Sequence, residues 1–378
     1  MITFNNTKVY VAACIGMMFF GVAFIVMGAV LPAMTEKYVL DEVQSSLLVT
    51  FLPFGILTGS LLFGPIVDRF GYKPLLCFST LFVALGLFGL SYFDEFNLLR
   101  ASIFIIGLGG GILNGETNAI VADIYAGEKA ASRLSLLGMC YGLGALGVPL
   151  LVSFFSKSYS YEIILRWTSV VICLSVLYFV SVQFPDPKHK QGFPIKDAIK
   201  LIKEPVLILI SFILFFQSGL EGLINNWSTT YLIGASVEQE KALLALTSLV
   251  VGMTLARLVL SYLLLKVKTI HVLIAGLLLL TSGIGLLNYT TSFGVAAAAL
   301  FLAGAGLAGV FPIMVSRIGT LYRNMTGTAI GLALFIALSG NSLLNLLMGH
   351  IHIGSFPVFL IVCIVLQAAL IFAGRKYL

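Results

Sequence analysis

Charged side chains are scarce in this chain. Asp, Glu, Lys and Arg make up 10% of its 378 residues, against about 25% in a typical soluble domain. So few charges leave too little solvated surface for a water-soluble globular protein, and too little for a disordered one. A nucleic-acid binder is excluded as well, although the isoelectric point is 9.0. Cysteine is sparse. Cys14, Cys77, Cys140, Cys173 and Cys363 all lie in apolar stretches and show no CxxC spacing. Neither a disulfide framework nor a zinc site is suggested, and inert buried thiols are expected. His350-x-His352 has no carboxylate beside it, so no metal is expected there. No Ser/His, paired-Asp or His-cluster arrangement occurs in the apolar runs, so an enzyme is not expected and no cofactor is called for.

Apolar sequence is abundant, with 59% hydrophobic residues and a mean hydropathy of +1.06. A membrane helix needs about 20 apolar residues. Charge and turn clusters divide the runs into twelve predicted spans, near 9–34, 43–67, 74–93, 98–124, 132–155, 165–184, 205–233, 242–265, 270–288, 293–316, 325–348 and 354–374. The first run is too long for a signal peptide and reads as a retained span. If the N-terminus is cytoplasmic, 17 of the 22 Lys and Arg fall on the cytoplasmic side. Only Lys37, Arg100, Lys157, Arg166 and Lys241 fall opposite. That bias places both termini in the cytoplasm, in a multi-pass protein of the cytoplasmic membrane.

The longest polar stretch, Pro185 to Glu204, follows the sixth span. It divides the chain into an N-terminal bundle (1–184), a cytoplasmic linker (185–204) and a C-terminal bundle (205–378). Ile195 to Ile202 could form a short amphipathic helix along the inner surface. The halves also resemble each other. An offset of 197 residues lays Gly55–Ser60 on Gly252–Arg257, and Gly107–Gly111 on Gly304–Ala308. The expected fold is all-α, with twelve transmembrane helices in two pseudo-symmetric six-helix bundles.

Between the second and third spans runs Gly64-Pro-Ile-Val-Asp68-Arg69-Phe-Gly71-Tyr-Lys73-Pro. Gly64 and Gly71 allow a tight reversal. Asp68 can pair with Arg69 or Lys73, or face the positive N-terminus of a neighbouring helix; alternatively the charges only fix orientation. The segment resembles the signature of the major facilitator superfamily, Gly-x-x-x-Asp-Arg-x-Gly-Arg/Tyr-Lys. With twelve spans and a central basic loop, the resemblance covers the whole chain. It implies alternating access by two bundles, with Asp68 and Arg69 in a cytoplasmic gate. Arg133 and Arg257, at inner span ends, are further gate candidates.

A carboxylate inside a membrane helix is costly and therefore a functional candidate. Glu116 lies in the fourth span, in Asn114-Gly-Glu-Thr-Asn118, and Glu221 in the seventh. Gln217, Glu221, Asn225 and Ser228 recur on one helical face, a polar stripe suited to a cavity wall. Trp227 and Tyr231 read either as interfacial aromatics or as stacking surfaces for a sugar ring. Asn114 and Asn118 share a face from which Glu116 points away. Glu116 is either an interhelical hydrogen-bonding group or a proton carrier. Asn341 and Asn345 share a face of the eleventh span, as cavity lining or helix–helix contacts. Gln367 in the twelfth reads as a helix–helix contact.

Asn-Gly-Glu116-Thr-Asn118 leading to Arg133-Leu-Ser-Leu, with Gly219-Leu-Glu221 and Trp227, is similar to the fucose:proton symporter family of sugar transporters. That resemblance implies a small, hexose-like sugar as the partner. The departures are specific. The family's first-span Asp falls on Gly28, and its fifth-span amides fall on Gly138 and Tyr141. Coupling to protons would then rest on Glu116 or Glu221. The expected function is secondary active transport of a sugar by a monomer, the proton being the coupling ion. Substrate binding is expected at Gln217, Glu221, Asn225, Trp227, Asn114, Asn118, Asn341 and Asn345. The alternative is an exporter of drugs or metabolites with a Met/Phe-lined cavity. A transporter-like sensor would carry an output domain, which tails of about eight and four residues do not provide.

Overall fold

The structure is a computed structural model that describes residues 4–155, 158–188, 200–289 and 292–377. The described residues are helical, with no strand among them. In chain order, the elements are α1 (Asn6–Tyr38), α2 (Glu42–Phe70), α3 (Tyr72–Tyr92), α4 (Phe96–Ile124), α5 (Gly127–Phe155), α6 (Tyr161–Ser181), α7 (Pro205–Gly234), α8 (Gln239–Leu263), α9 (Thr269–Leu287), α10 (Phe293–Leu307), α11 (Val310–Leu321), α12 (Thr326–Met348) and α13 (Phe356–Ala373). Among the described residues, twelve stretches are long and apolar enough to cross a membrane. They are the twelve predicted spans, with ends moved by a few residues. Side chains such as Phe154 (76% exposed) and Leu177 (71%) point outward with no protein over them, a surface that lipid must cover.

Local signals start the helices. Asn5 Oδ1 accepts from the amides of Thr7 (2.9 Å) and Lys8 (3.2 Å) at the start of α1. Asp41 and Gln44 close a capping box on α2, at 2.7 and 3.2 Å. The tenth span differs from its expected form. It breaks at Ala308–Gly309 and continues as α11 to Leu321. Pro312 has no amide proton to give the carbonyl four residues back, so an unbroken helix there would leave Ala308 without its bond. The helix expected over 195–202 falls mostly on 195–199, outside the described residues; 200 and 201 are helical.

The chain forms two compact units. Unit 1 takes the described residues of Met1–Ile124, Leu137–Ala198 and Asn324–Gly331; unit 2 takes Tyr125–Leu136, Ile199–Arg323 and Leu332–Leu378. The units therefore exchange two short segments relative to a cut at the linker. Residues 127–134 moved by the repeat offset of 197 become 324–331, so the exchanged segments are equivalent positions of the repeat.

The repeat is visible in the packing within each unit. In unit 1 a Cβ on Gly55 would strike the Phe104 carbonyl, and one on Gly107 the Leu52 carbonyl. In unit 2 a Cβ on Gly252 would strike Phe301, and one on Gly304 would strike Leu249, again at the carbonyl. All four partners stand at the 197-residue offset. The same holds for Gly86 against Ser102 and Gly283 against Ala299. In each unit, glycines thus bring α4 or its counterpart α10 to backbone contact with two neighbours. We expect Gly107→Ala and Gly304→Ala to destabilise the protein to a similar degree, about 1–3 kcal/mol each by overpacking, read as matched falls in melting temperature.

At one end of unit 1, Lys37 Nζ lies 2.8 Å from Asp94 and 3.2 Å from Glu162. It ties α1 to the α3–α4 connection and to α6. Its hydrogen bond holds the exposed Asp94 carboxyl below the usual range.

Candidate functional site

The α2–α3 turn is a single residue. Gly71 closes α2 with φ +82° and its amide on the Val67 carbonyl (2.8 Å), and α3 starts at Tyr72. An L side chain at that φ would be strained. This reversal leaves Asp68 one turn from the end of α2, 1% exposed. Its carboxylate accepts from the amides of Gly327 (3.1 Å) and Thr328 (2.8 Å) and from the Thr328 hydroxyl (2.6 Å). Of the partners open to Asp68 from sequence, the structure therefore shows a helix N-terminus, that of α12. Gly64 makes this approach possible, because a Cβ there would lie 2.7 Å from Gly327 O. Arg69 lies over the Phe70 ring at 5.7 Å, and Lys73 is half-buried at the start of α3.

A second carboxylate joins this cluster. Asp123, near the end of α4, accepts from Thr326 Oγ1 (2.7 Å) and Tyr72 OH (2.5 Å) and pairs with Lys188 Nζ (3.1 Å). Asp68 and Asp123 together hold three consecutive residues of α12's first turn. Sequence reasoning passed over Asp123, Tyr72, Thr326 and Lys188. The available signal was a second acid at an inner span end. The ion pair of Lys188 with Asp123 joins the start of the linker to α4. In unit 2, Ser132 Oγ donates to the Ser261 carbonyl and Ser135 Oγ to the Arg257 carbonyl (2.8 Å). Arg133 lies over the Tyr125 ring at 5.6 Å. Serine hydroxyls on α5 thus do in unit 2 what the carboxylates do on α12 in unit 1.

Glu116 is fully buried in α4, and among the described residues neither carboxylate oxygen has a hydrogen-bond partner. The polar groups around it are the Leu76 backbone and the Ser79 hydroxyl of α3, but Ser79 donates to the Leu76 carbonyl instead (3.2 Å). Asn114 and Asn118 lie elsewhere on α4 and are satisfied locally. Asn118 Nδ2 donates to the carbonyl (2.7 Å) and side-chain oxygen (3.2 Å) of Asn114. Their exposures are 8% and 1%.

The α7 stripe divides. Gln217 is buried; its Nε2 donates to the Leu307 carbonyl (2.8 Å) and its Oε1 accepts from Gln367 Nε2 (3.0 Å). Ser228 is fully buried. Glu221 and Asn225 are half-buried, and Asn225 Nδ2 donates to the Glu221 carbonyl (3.0 Å). Arg257 of α8 is the cation whose charge reaches Glu221. One turn further, Asn345 Oδ1 of α12 accepts from Trp227 Nε1 (3.0 Å) and Asn226 Nδ2 (2.9 Å). Asn345 Nδ2 in turn donates to Asn341 Oδ1 (2.9 Å). The Trp227 ring is thereby fixed in orientation by a part-buried hydrogen bond at its edge. In unit 1, Phe20, Phe24 and Tyr141 form an aromatic group across α1 and α5, with centroids 5.3–6.1 Å apart.

Comparison with known proteins agrees with this architecture. Over 352 residues the chain is 23% identical to the glucose/mannose transporter GlcP of Bacillus subtilis, covering 87% of this chain and 84% of the relative. It is 25% identical over 221 residues to a TsgA homolog of Buchnera aphidicola subsp. Schizaphis graminum, which is 56% of this chain. That match spans only 54% of the relative's length. The E. coli fucose:proton symporter FucP superposes with a TM-score of 0.80 at 17% identity, over 98% of both chains. The proton:xylose symporter XylE superposes equally well, at 0.80 and 15% identity, over 97% of this chain and 95% of the other. The family profile of the Major Facilitator Superfamily matches residues 12–345. The chain, an integral multi-pass membrane protein, therefore belongs to the Major Facilitator Superfamily of transporters.

Proposed function

We propose that the protein carries a small hexose-like sugar across the cytoplasmic membrane by alternating access, together with a proton. The observation that carries this reading is Glu116, a buried carboxyl with neither oxygen partnered. An ionised carboxylate so placed is expensive. Such a group suits uptake and release of a proton as its surroundings change. The sugar is assigned to unit 2. Glu221 and Asn225 supply acceptors and donors for hydroxyls, and the oriented Trp227 supplies an apolar face for a pyranose ring. A relative that transports glucose and mannose, aligned over most of both chains, supports that substrate class. Both termini are assigned to the cytoplasm from the 17-to-5 distribution of Lys and Arg. Gln217 supports the site from inside unit 2, its amide held by Leu307 and Gln367, while the Asn118 amide of unit 1 is spent on Asn114.

Thermal-shift titration of the purified protein with glucose, mannose and fucose tests the substrate class, because a ligand of the native state raises its melting temperature. Glu221→Gln removes a charge-assisted acceptor worth about 1.5–3 kcal/mol. It should weaken binding of the responsive sugar roughly 10- to 150-fold at every pH, since 1.4 kcal/mol is about tenfold. No shift with any sugar, or sugar binding unchanged in Glu221→Gln, would remove the assignment.

A further inference from the structure

Unit 2 contains a cavity of about 480 Å³ where the start of α5, the α8–α9 connection and α11 meet. Lys129, Arg317, Glu128 and Thr269 line it, with Leu265 and Ile313 as an apolar wall. None of these residues belongs to the sugar site or the Asp68 cluster. Arg317 is half-buried, yet among the described residues its guanidinium has no hydrogen-bond acceptor and no ion-pair partner. A planar fork of five donors placed in a cavity without an acceptor is suited to an oxyanion from outside the protein. Among the described residues Lys129 meets only the face of Tyr125, at 5.4 Å, so its ammonium is also available. Glu128 is the single acid on the wall, which leaves the lining net positive.

The backbone adds to this field. α5 and α9 both begin at the cavity, at Gly127 and Thr269, and no side chain caps the start of α9. Their first-turn amides carry partial positive charge toward the same space. The arrangement is fixed, because Ser316 Oγ of α11 donates to the Gly127 carbonyl (2.7 Å). The volume lies within the range of small-molecule pockets, about 300–1,000 Å³, and is more than a bare phosphate fills. The anion is therefore part of a larger organic body, which the Leu265 and Ile313 wall would contact.

We propose that this cavity binds a phosphate group on an organic carrier, and that its occupation slows transport by clamping the start of α5. Residues 127–136 of α5 pack in unit 2, while its remainder packs in unit 1. A ligand bridging Lys129 on α5 and Arg317 on α11 adds to the Ser132, Ser135 and Ser316 contacts that hold those first turns. It binds this arrangement better than one in which α5 has moved, and so favours it. The clamp rests on the alternating-access reading; the binding site does not.

The test uses the full chain in phosphatidylcholine nanodiscs, with glucose 6-phosphate as a soluble probe and phosphatidylglycerol nanodiscs as the lipid arm. Glucose 6-phosphate should bind, or phosphatidylglycerol should raise the melting temperature; whichever acts identifies the source of the phosphate. Arg317→Gln and Lys129→Gln should each cut that response at least tenfold, while Lys376→Gln leaves it unchanged. Lys129 is exposed, so its variant keeps the test valid if Arg317→Gln folds poorly. No response to either phosphate source, or a response indifferent to both variants, overturns the site. In proteoliposomes, sugar uptake slowed by the active probe in the parent protein but not in Lys129→Gln supports the clamp. Binding without any effect on uptake overturns the clamp alone.

Discussion

Asp68→Asn should lower turnover at least tenfold while leaving sugar affinity within about threefold. The carboxylate of Asp68 is buried and accepts three hydrogen bonds from the first turn of α12. Hydrogen bonds to a charged group contribute about 1.5–3 kcal/mol each, and a helix N-terminus adds about 0.3–2 kcal/mol. An asparagine retains one acceptor oxygen but turns an amide group toward the same donors. The net loss is set at about 2–4 kcal/mol for the arrangement that holds α12 to α2, once the retained acceptor is allowed for. That corresponds to a roughly 30- to 900-fold shift in population. In the proposed alternating-access cycle this arrangement forms once per turnover, so its loss is expected in turnover. Glu221, Asn225 and Trp227 are untouched by the change, so affinity is spared. Equilibrium binding and counterflow measured on the same preparation separate the two quantities. Affinity that falls in step with transport would contradict the assignment of Asp68 to a gate.

Glu116→Gln has the other large expected effect. The amide mimics a protonated carboxyl in size and removes the titrating proton. Nothing in the surroundings of Glu116 demands its charge, since neither oxygen has a partner. The variant should therefore fold, bind sugar and exchange it across the membrane at near the parent rate. It should lose gradient-driven accumulation, because no group would then load a proton with the sugar. Glu116→Ala is a poorer probe, since it also leaves a cavity beside Ser79 and Leu76. Retained accumulation in Glu116→Gln would move coupling to Glu221 or point to facilitated diffusion.

The fold was legible because it is written in composition and long apolar runs. Twelve stretches and their ends follow from where charges and turn residues interrupt those runs. The 197-residue offset was legible because glycine is required wherever two helix backbones touch, and such contacts recur in both halves. The break before Pro312 was also in the sequence as a residue without an amide proton, but a membrane helix can tolerate proline by bending, so proline alone does not place a break. The candidate site was legible in part. Asp68 and Glu116 stand out as acids where acids are costly. Their surroundings did not, because the partners of Asp68 lie about 260 residues away and local spacing carries no such information. The α7 stripe shows the same limit. Helical periodicity puts Gln217, Glu221, Asn225 and Ser228 on one face, but the partners supplied by α10 and α13 decide which of them remain open.

The central claim is that sugar and proton move together. It is tested most directly by radiolabelled sugar uptake into proteoliposomes carrying the parent protein, with an imposed pH gradient, acid outside. The sugar is the one that gives a thermal shift. Coupling predicts an overshoot, with internal sugar rising transiently above the external concentration, and its abolition by a protonophore. Uptake that stops at the external concentration, with or without the gradient, would contradict it.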